Sequence, residues 1–308
     1  MRVIDTDGKR SVGSLTFAPD GRLIAIGLVR RGVALYDLAR GRPALELTSA
    51  ADARDRPVAF SADGTRAYTV TAGGRTGFST DTGARVEVGP DDPDGNGGAA
   101  AFAGSARGDR LVTAQLVLHG RAVIRLNGWA EVGGEWTWLW RVDENGASNP
   151  AMAPSGNCLA YLDRRPSGAS PRLRLILRDA ATGSEIATGA YPHPRNARLS
   201  FRPDGRQVVA PFETTLVVWD TRMPGMPALV RNDSRQHFTA AAYHPSGRYL
   251  FTAGNDASVS VWDTEDWVRV KRFDWDIGRL RAVAVSPDGL LAAAGSDRGR
   301  VVVWDVDV

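Results

Sequence analysis

A repeated all-β architecture, with seven sheets of three or four strands set radially about one axis, is predicted for this 308-residue chain by three observations. A turn motif recurs at near-constant spacing, strand-type apolar runs flank each copy, and no segment has a convincing amphipathic helical pattern. The motif is an apolar residue followed by X-Pro-Asp/Ser-Gly, the tight connection expected between two antiparallel strands. Its clear copies are Phe17-Ala-Pro-Asp-Gly21, Met152-Ala-Pro-Ser-Gly156, Phe201-Arg-Pro-Asp-Gly205, Tyr243-His-Pro-Ser-Gly247 and Val285-Ser-Pro-Asp-Gly289. Phe60-Ser-Ala-Asp-Gly64 lacks the proline, and Phe102-Ala-Gly-Ser-Ala106 is degenerate.

Equating Pro19, Ala62, Gly104, Pro154, Pro203, Pro245 and Pro287 gives steps of 43, 42, 50, 49, 42 and 42 residues, so residues 1–308 read as one domain of seven units. Within a unit, small or β-branched residues precede the turn, an apolar run follows it, and a second apolar run ends in aromatic-Asp. The last unit is the clearest: Val283-Ala-Val285, then Leu290-Leu-Ala-Ala-Ala-Gly295, then Arg300-Val-Val-Val-Trp-Asp305. Equivalent closures are Tyr36-Asp37, Trp219-Asp220 and Trp262-Asp263, with Arg178-Asp179 a weaker version. The third unit, with its 50-residue step, Trp129 and Gly133-Gly134, reads as an enlarged hairpin. Arg164-Arg-Pro-Ser-Gly-Ala-Ser-Pro171 reads as a loop projecting from the fourth.

The dipeptides Trp219-Asp220, Trp262-Asp263 and Trp304-Asp305 stand in register with the Pro-Asp/Ser-Gly turns, and on these residues the chain resembles the WD-repeat family along essentially its whole length. The resemblance implies a seven-bladed β-propeller with four antiparallel strands per blade. It also implies a non-enzymatic scaffold whose loops on one face dock a protein or peptide. The family tends to carry Gly-His before each inner strand and Asp six residues before the Trp, joined in a bracing hydrogen-bond network. This chain has no Gly-His, and Arg30, Glu213, Asp256 and Arg298 stand at the second position, so only Asp256 fits. Apolar packing is therefore expected to carry more of the stability.

Charge and cysteine content narrow the function classes. The net charge is +3 and arginine outnumbers lysine 36 to 2, a weak field better suited to a protein partner than to a nucleic acid, which favours a continuous basic stripe. The opening residues lack the apolar core of a signal peptide, and no run of 18 apolar residues occurs, so a cytoplasmic location without membrane association is expected. Cys158 is the only cysteine, which leaves no intramolecular disulfide or thiolate cluster. No cofactor is expected.

Candidate sites follow from local composition. The loops preceding each inner strand and those between second and third strands carry Arg30, Arg31, Arg164, Arg165, Arg195 and Arg198, the candidate partner-binding residues. Asp92, Asp94 and Asn96 alternate before Gly97 like the first half of a calcium loop, but Ala100 and Ala103 occupy two later ligand positions. A plain loop is the expected reading, because these residues are also ordinary turn formers. His119, His193, His237 and His244 fall in four units, so only a central channel could gather them. The competing functions are thus a small-ligand or calcium-binding propeller and an enzyme working in that channel. Trp136, Trp138 and Trp140 alternate and are expected to pack together between blades, the alternative being an aromatic interaction surface. Residues 2–6 are β-prone and are expected to pair beside Arg300 to Trp304, closing the ring and burying Val3 and Ile4.

Overall fold

The structure, a computed structural model, describes residues 1–6, 10–29, 32–48, 58–71, 74–86, 99–104, 109–119, 121–133, 135–144, 148–165, 172–191, 197–232 and 236–307. Among these, 28 strands form seven four-stranded antiparallel sheets and there is no helix. Strand β1 (Arg2–Asp5) comes first in the chain but belongs to the last sheet. Blade 1 is β2 (Val12–Phe17), β3 (Leu23–Leu28), β4 (Gly32–Asp37) and β5 (Arg42–Thr48). Blade 2 is β6 (Val58–Phe60), β7 (Arg66–Thr71), β8 (Gly74–Ser79) and β9 (Arg85–Val86). Blade 3 is β10 (Ala99–Gly104), β11 (Arg110–His119), β12 (Arg121–Val132) and β13 (Glu135–Glu144). Blade 4 is β14 (Ser148–Met152), β15 (Cys158–Arg165), β16 (Arg172–Asp179) and β17 (Glu185–Ala190). Blade 5 is β18 (Ser200–Phe201), β19 (Gln207–Phe212), β20 (Thr215–Asp220) and β21 (Ala228–Arg231). Blade 6 is β22 (Phe238–Tyr243), β23 (Tyr249–Gly254), β24 (Ser258–Asp263) and β25 (Arg269–Asp274). Blade 7 is β26 (Leu280–Val285), β27 (Leu291–Ser296), β28 (Arg300–Asp305) and β1.

The repeated turn works as its residues require. In six units the glycine N–H bonds back to the carbonyl three residues earlier, as from Gly21 to Ala18 at 2.9 Å and from Gly205 to Arg202 at 2.8 Å. The glycine itself lies at φ of 70 to 77°, which side-chain-bearing residues avoid. Proline, where present, presets the residue after the accepting carbonyl.

Each blade is too thin to bury its own faces, so the apolar core divides into seven clusters, one at each interface between successive blades. Contacts run from blade 1 to blade 2 and onward until β26 meets β2, which completes the ring. The closing sheet pairs Arg2 with Val303 and Ile4 with Val301, and Thr6 donates its backbone N–H to the Gly299 carbonyl at 3.0 Å. Period-two alternation along β1 buries Ile4 at 4% exposure, whereas Val3 is 52% exposed, contrary to the expectation that both would be covered.

Two sequence expectations change in blades 3 and 4. The enlarged unit is confirmed by strands of 10, 12 and 10 residues where most have six, but its tryptophans do not share one environment. Gly128 pairs with Trp140 while Trp129 pairs with Trp138, and this register shift divides the row. Trp140 is buried, with its indole N–H on the Ala180 carbonyl at 2.9 Å; Trp136 is half-buried, and Trp138 stays 43% exposed beneath Arg141. A Cβ on Gly128 would fall 2.1 Å from the Trp140 ring and one on Gly183 2.6 Å from it, so both glycines leave room for that indole. The loop of blade 4 starts two residues later than expected, since Arg164 and Arg165 still pair with Leu173 and Arg172.

The bracing chemistry is present blade by blade rather than uniformly. In blade 6, Trp262 Nε1 donates to Thr252 Oγ1 at 2.9 Å and Ser258 Oγ donates to Asp256 at 2.7 Å; in blade 3, Trp129 Nε1 donates to Thr113 Oγ1 at 3.3 Å. The hydroxyl stands two residues after the cross-strand partner of the Trp. In blade 7 that position is Ala294, and Trp304 Nε1 is buried without a partner among the described residues. Blade 2 has the converse fault: Phe78 stands at the Trp position with no N–H to give, and Thr69 Oγ1 is buried without a partner among the described residues. A buried polar group left unpaired costs about 1–3 kcal/mol. Ala294→Ser and Thr69→Val are therefore each expected to raise stability by about 1 kcal/mol. Calorimetry should show a gain of about 2 °C in melting temperature, and a loss in both variants would exclude the orphaned groups as the cause.

Blade 4 replaces the Trp–hydroxyl pair with charge. Arg178 stands at the Trp position and Tyr161 at the hydroxyl position, and Arg178 Nε donates to Tyr161 Oη at 2.8 Å. Arg178 Nη2 and Tyr161 Oη both donate to Glu144 Oε1 at 2.6 Å, and Arg178 Nη1 donates to the Gly183 carbonyl at 2.7 Å. Glu144 is the last residue of β13, so the network ties blade 3 to blade 4 while remaining almost wholly buried. Burial, and then the hydrogen bond to Glu144, push the Tyr161 hydroxyl pKa well above its usual value, so it stays protonated and able to donate.

Candidate functional site at the channel mouth

Inner strands of a propeller face the axis, and here their first residues are deliberately irregular. Register shifts occur between Val12 and Ser14, Phe238 and Ala240, and Leu280 and Ala282. A bulge leaves its extra residue out of the ladder and re-aims it. The skipped residues Gly13, Thr239 and Arg281 all line one cavity of about 680 Å³. That cavity is bounded by blade 1 through Ser11, Val12 and Val29, by blade 5 through Ala197, Arg198, Pro211, Phe212 and Glu213, by blade 6 through His237, Phe238 and Asn255, and by blade 7 through Arg279. Blades 1 and 5 are not neighbours, so a space touching both lies at the central axis. These residues precede inner strands or join second to third strands, which puts the cavity at one mouth of the channel.

The rim is held by backbone clamps. The N–H of Val29 bonds to the Ser11 carbonyl at 2.9 Å, that of Asn255 to His237 at 3.0 Å, and that of Asp297 to Arg279 at 2.8 Å. In blades 6 and 7 the clamp is doubled, because the Asn255 and Asp297 side chains accept the backbone N–H of His237 at 3.0 Å and of Arg279 at 3.1 Å. Arg198 reaches from blade 5 to blade 1 and donates to the Gly13 carbonyl at 2.6 Å, a bond that must cross the channel. Glu213 adopts φ of 49° in the turn between β19 and β20, and its carbonyl accepts the Phe238 N–H at 2.6 Å. The described lining thus sets three guanidinium groups against one carboxylate, beside the aromatic side chains of Phe212 and Phe238.

A second cavity, of about 350 Å³, lies on the opposite face between blades 1 and 2, where Arg22, Arg40 and Arg42 meet Asp37 and Asp81. Its Asp37 is already engaged by two of these arginines. Asp37 lies 3.5 Å from Arg22 and 3.8 Å from Arg40, and the Arg40 backbone N–H holds its carboxyl below the usual carboxylate range.

Of the arginines singled out from sequence, Arg198 reaches the channel mouth. Arg164 and Arg165 end β15 in blade 4, which contributes nothing to the cavity among the described residues, and Arg30, Arg31 and Arg195 lie outside those residues. The loop with Asp92, Asp94 and Asn96 also lies outside them. No group of three or more His, Cys, Asp or Glu side chains that could hold a metal ion occurs among the described residues. Sequence reasoning passed over Arg279, Arg281 and Thr239, although a signal existed. The skipped residue stands four before the apolar residue that opens each turn, as Gly13 does before Phe17, Thr239 before Tyr243 and Arg281 before Val285.

Comparison with known proteins finds matches to the family model of the WD domain, G-beta repeat, at residues 232–263 and 272–305, which are blades 6 and 7. The chain is 32% identical over 162 residues to Pre-mRNA-processing factor 19 homolog 2 of Arabidopsis thaliana, covering 52% of this chain and 29% of that protein. It is 34% identical over 71 residues to Cilia- and flagella-associated protein 52 of Chlamydomonas reinhardtii, covering 23% of this chain and 12% of that one. It is 26% identical over 107 residues to Protein groucho of Drosophila melanogaster, covering 34% and 14%. The chain spans less than a third of the length of these curated relatives.

Proposed function

We propose that this seven-bladed propeller, whose last two blades match the WD-repeat family model, is a non-enzymatic scaffold that docks a segment of a partner protein at the channel mouth. The single observation that carries this reading is the cavity of about 680 Å³ at the axis. Its size falls within the roughly 300–1,000 Å³ of ordinary ligand pockets. Its walls combine apolar side chains with a few polar groups, and backbone hydrogen bonds clamp the described part of its rim, which lowers the ordering cost of binding. We extend the proposal to a cytoplasmic location, which fractionation of the source cells tests.

The docking reading is checked with Ser11→Trp, which puts an indole into the cavity, beside Arg42→Glu, a change at the first residue of β5 on the opposite face. Proteins captured from the source cell extract on the immobilised full chain should be lost with the first variant and retained with the second, both variants melting like the parent. Capture unaffected by Ser11→Trp would move docking away from the mouth.

A further inference from the structure

We propose that the channel mouth takes an acidic segment of a partner protein, in which Asp or Glu side chains flank an apolar residue, with Arg279 and Arg281 receiving the carboxylates. This rests on the docking reading above and adds the chemistry of the occupant.

The argument starts from backbone geometry. Arg281 occupies the bulge position of β26, where blades 1 and 6 have Gly13 and Thr239. That position lines the cavity in all three blades, so an arginine there puts its charge at the axis. Arg279, two residues earlier, is fixed through its main chain: Asp297 binds its N–H and its carbonyl, and that carboxylate is thereby engaged with backbone. The guanidinium groups of Arg279 and Arg281 are exposed and form no ion pair among the described residues. This contrasts with Arg22 and Arg40, held on Asp37, and with Arg222 and Arg248, held on Asp220 and Asp263.

Charge complementarity then selects the occupant. Glu213 is the one carboxylate among the described lining residues, against Arg198, Arg279 and Arg281. A cationic segment would meet like charge, whereas a carboxylate can accept paired N–H groups from guanidinium. Phe212 and Phe238 line the cavity beside these charges and give it an apolar element, which a bare anion would leave unused. A nucleic acid fits less well, because Arg198, Arg279 and Arg281 meet at one mouth rather than forming the stripe a phosphate backbone follows.

The test measures fluorescence anisotropy of a fluorescein-labelled peptide of alternating Glu and Leu on the full chain, beside the same peptide with Lys for Glu and a single-stranded oligonucleotide of similar charge. The acidic peptide should bind, weaken as salt rises, and lose about tenfold or more in affinity with Arg279→Glu plus Arg281→Glu. Arg42→Glu plus Arg85→Glu, at the first residues of outer strands on the opposite face, should leave binding within about twofold of the parent. Equal binding of the Lys peptide, tighter binding of the oligonucleotide, no binding of the acidic peptide, or indifference to the Arg279 and Arg281 changes would each overturn the assignment. Loss of partner capture with Ser11→Trp but not with the arginine reversals would leave docking at the mouth intact and remove only its acidic character.

Discussion

Glu144→Ala is expected to lower the stability of the propeller by about 3 kcal/mol, because the buried Arg178 guanidinium loses its close counter-charge and keeps only Glu185, 4.0 Å away. Arg178 is 8% exposed and Glu144 5%, so water cannot replace the lost partner without opening the interface between blades 3 and 4. Tyr161→Phe should be much milder, at about 1–2 kcal/mol, since the 2.6 Å ion pair survives and only the bridging hydroxyl is removed. Urea unfolding of both variants separates the two contributions. A Glu144→Ala protein no less stable than Tyr161→Phe would mean that the interface relaxes to hydrate Arg178. The same network explains how a blade without the usual aromatic remains in register: a guanidinium fills the position of the indole and gains an acceptor from the preceding blade.

Removing residues 2–6 is expected to have the second large effect. It deletes β1, exposes Ile4's site between blades 7 and 1, and turns β28 into an open edge. The Ile4 side chain alone is worth about 1.5–3 kcal/mol of burial, and the lost ladder adds to it. The melting temperature should fall by about 5 °C or more, and light scattering should report association through the exposed strand. Val3→Asp is the control, because Val3 faces solvent and its replacement should change little. A truncated protein as stable and as monomeric as its parent would show that the β1–β28 pairing does not hold the ring closed.

The repeat was legible because each of its devices is local. Pro-Asp/Ser-Gly turns, apolar runs and aromatic-Asp closures act over a handful of residues, so their spacing alone counts the blades and assigns their strands. The pairing of residues 2–5 with β28 was legible too, since the seventh unit had only three strand-like runs of its own. Yet Val3 and Ile4 were indistinguishable as β-prone residues until the register put Ile4 opposite Val301 and turned it inward. Arg178-Asp179 could be recognised as a departure from Trp-Asp, but not as half of a buried ion pair, because Glu144 comes from another blade and 34 residues away. The three tryptophans of β13 likewise diverge through one register shift that no alternation pattern reveals.

By itself, then, the sequence determined the number of blades, the strand order within them and the class of fold, all consequences of short-range turn chemistry and period-two burial repeated along the chain. Tertiary structure alone decided which side chains meet at the axis. Arg198, Arg279 and Arg281 are separated by as many as 83 positions and share a cavity only because ring closure brings blade 5 within reach of blade 7 and blade 1. Their convergence depends on bulge register and on the curvature of the whole ring, quantities to which no single repeat contributes a readable signal.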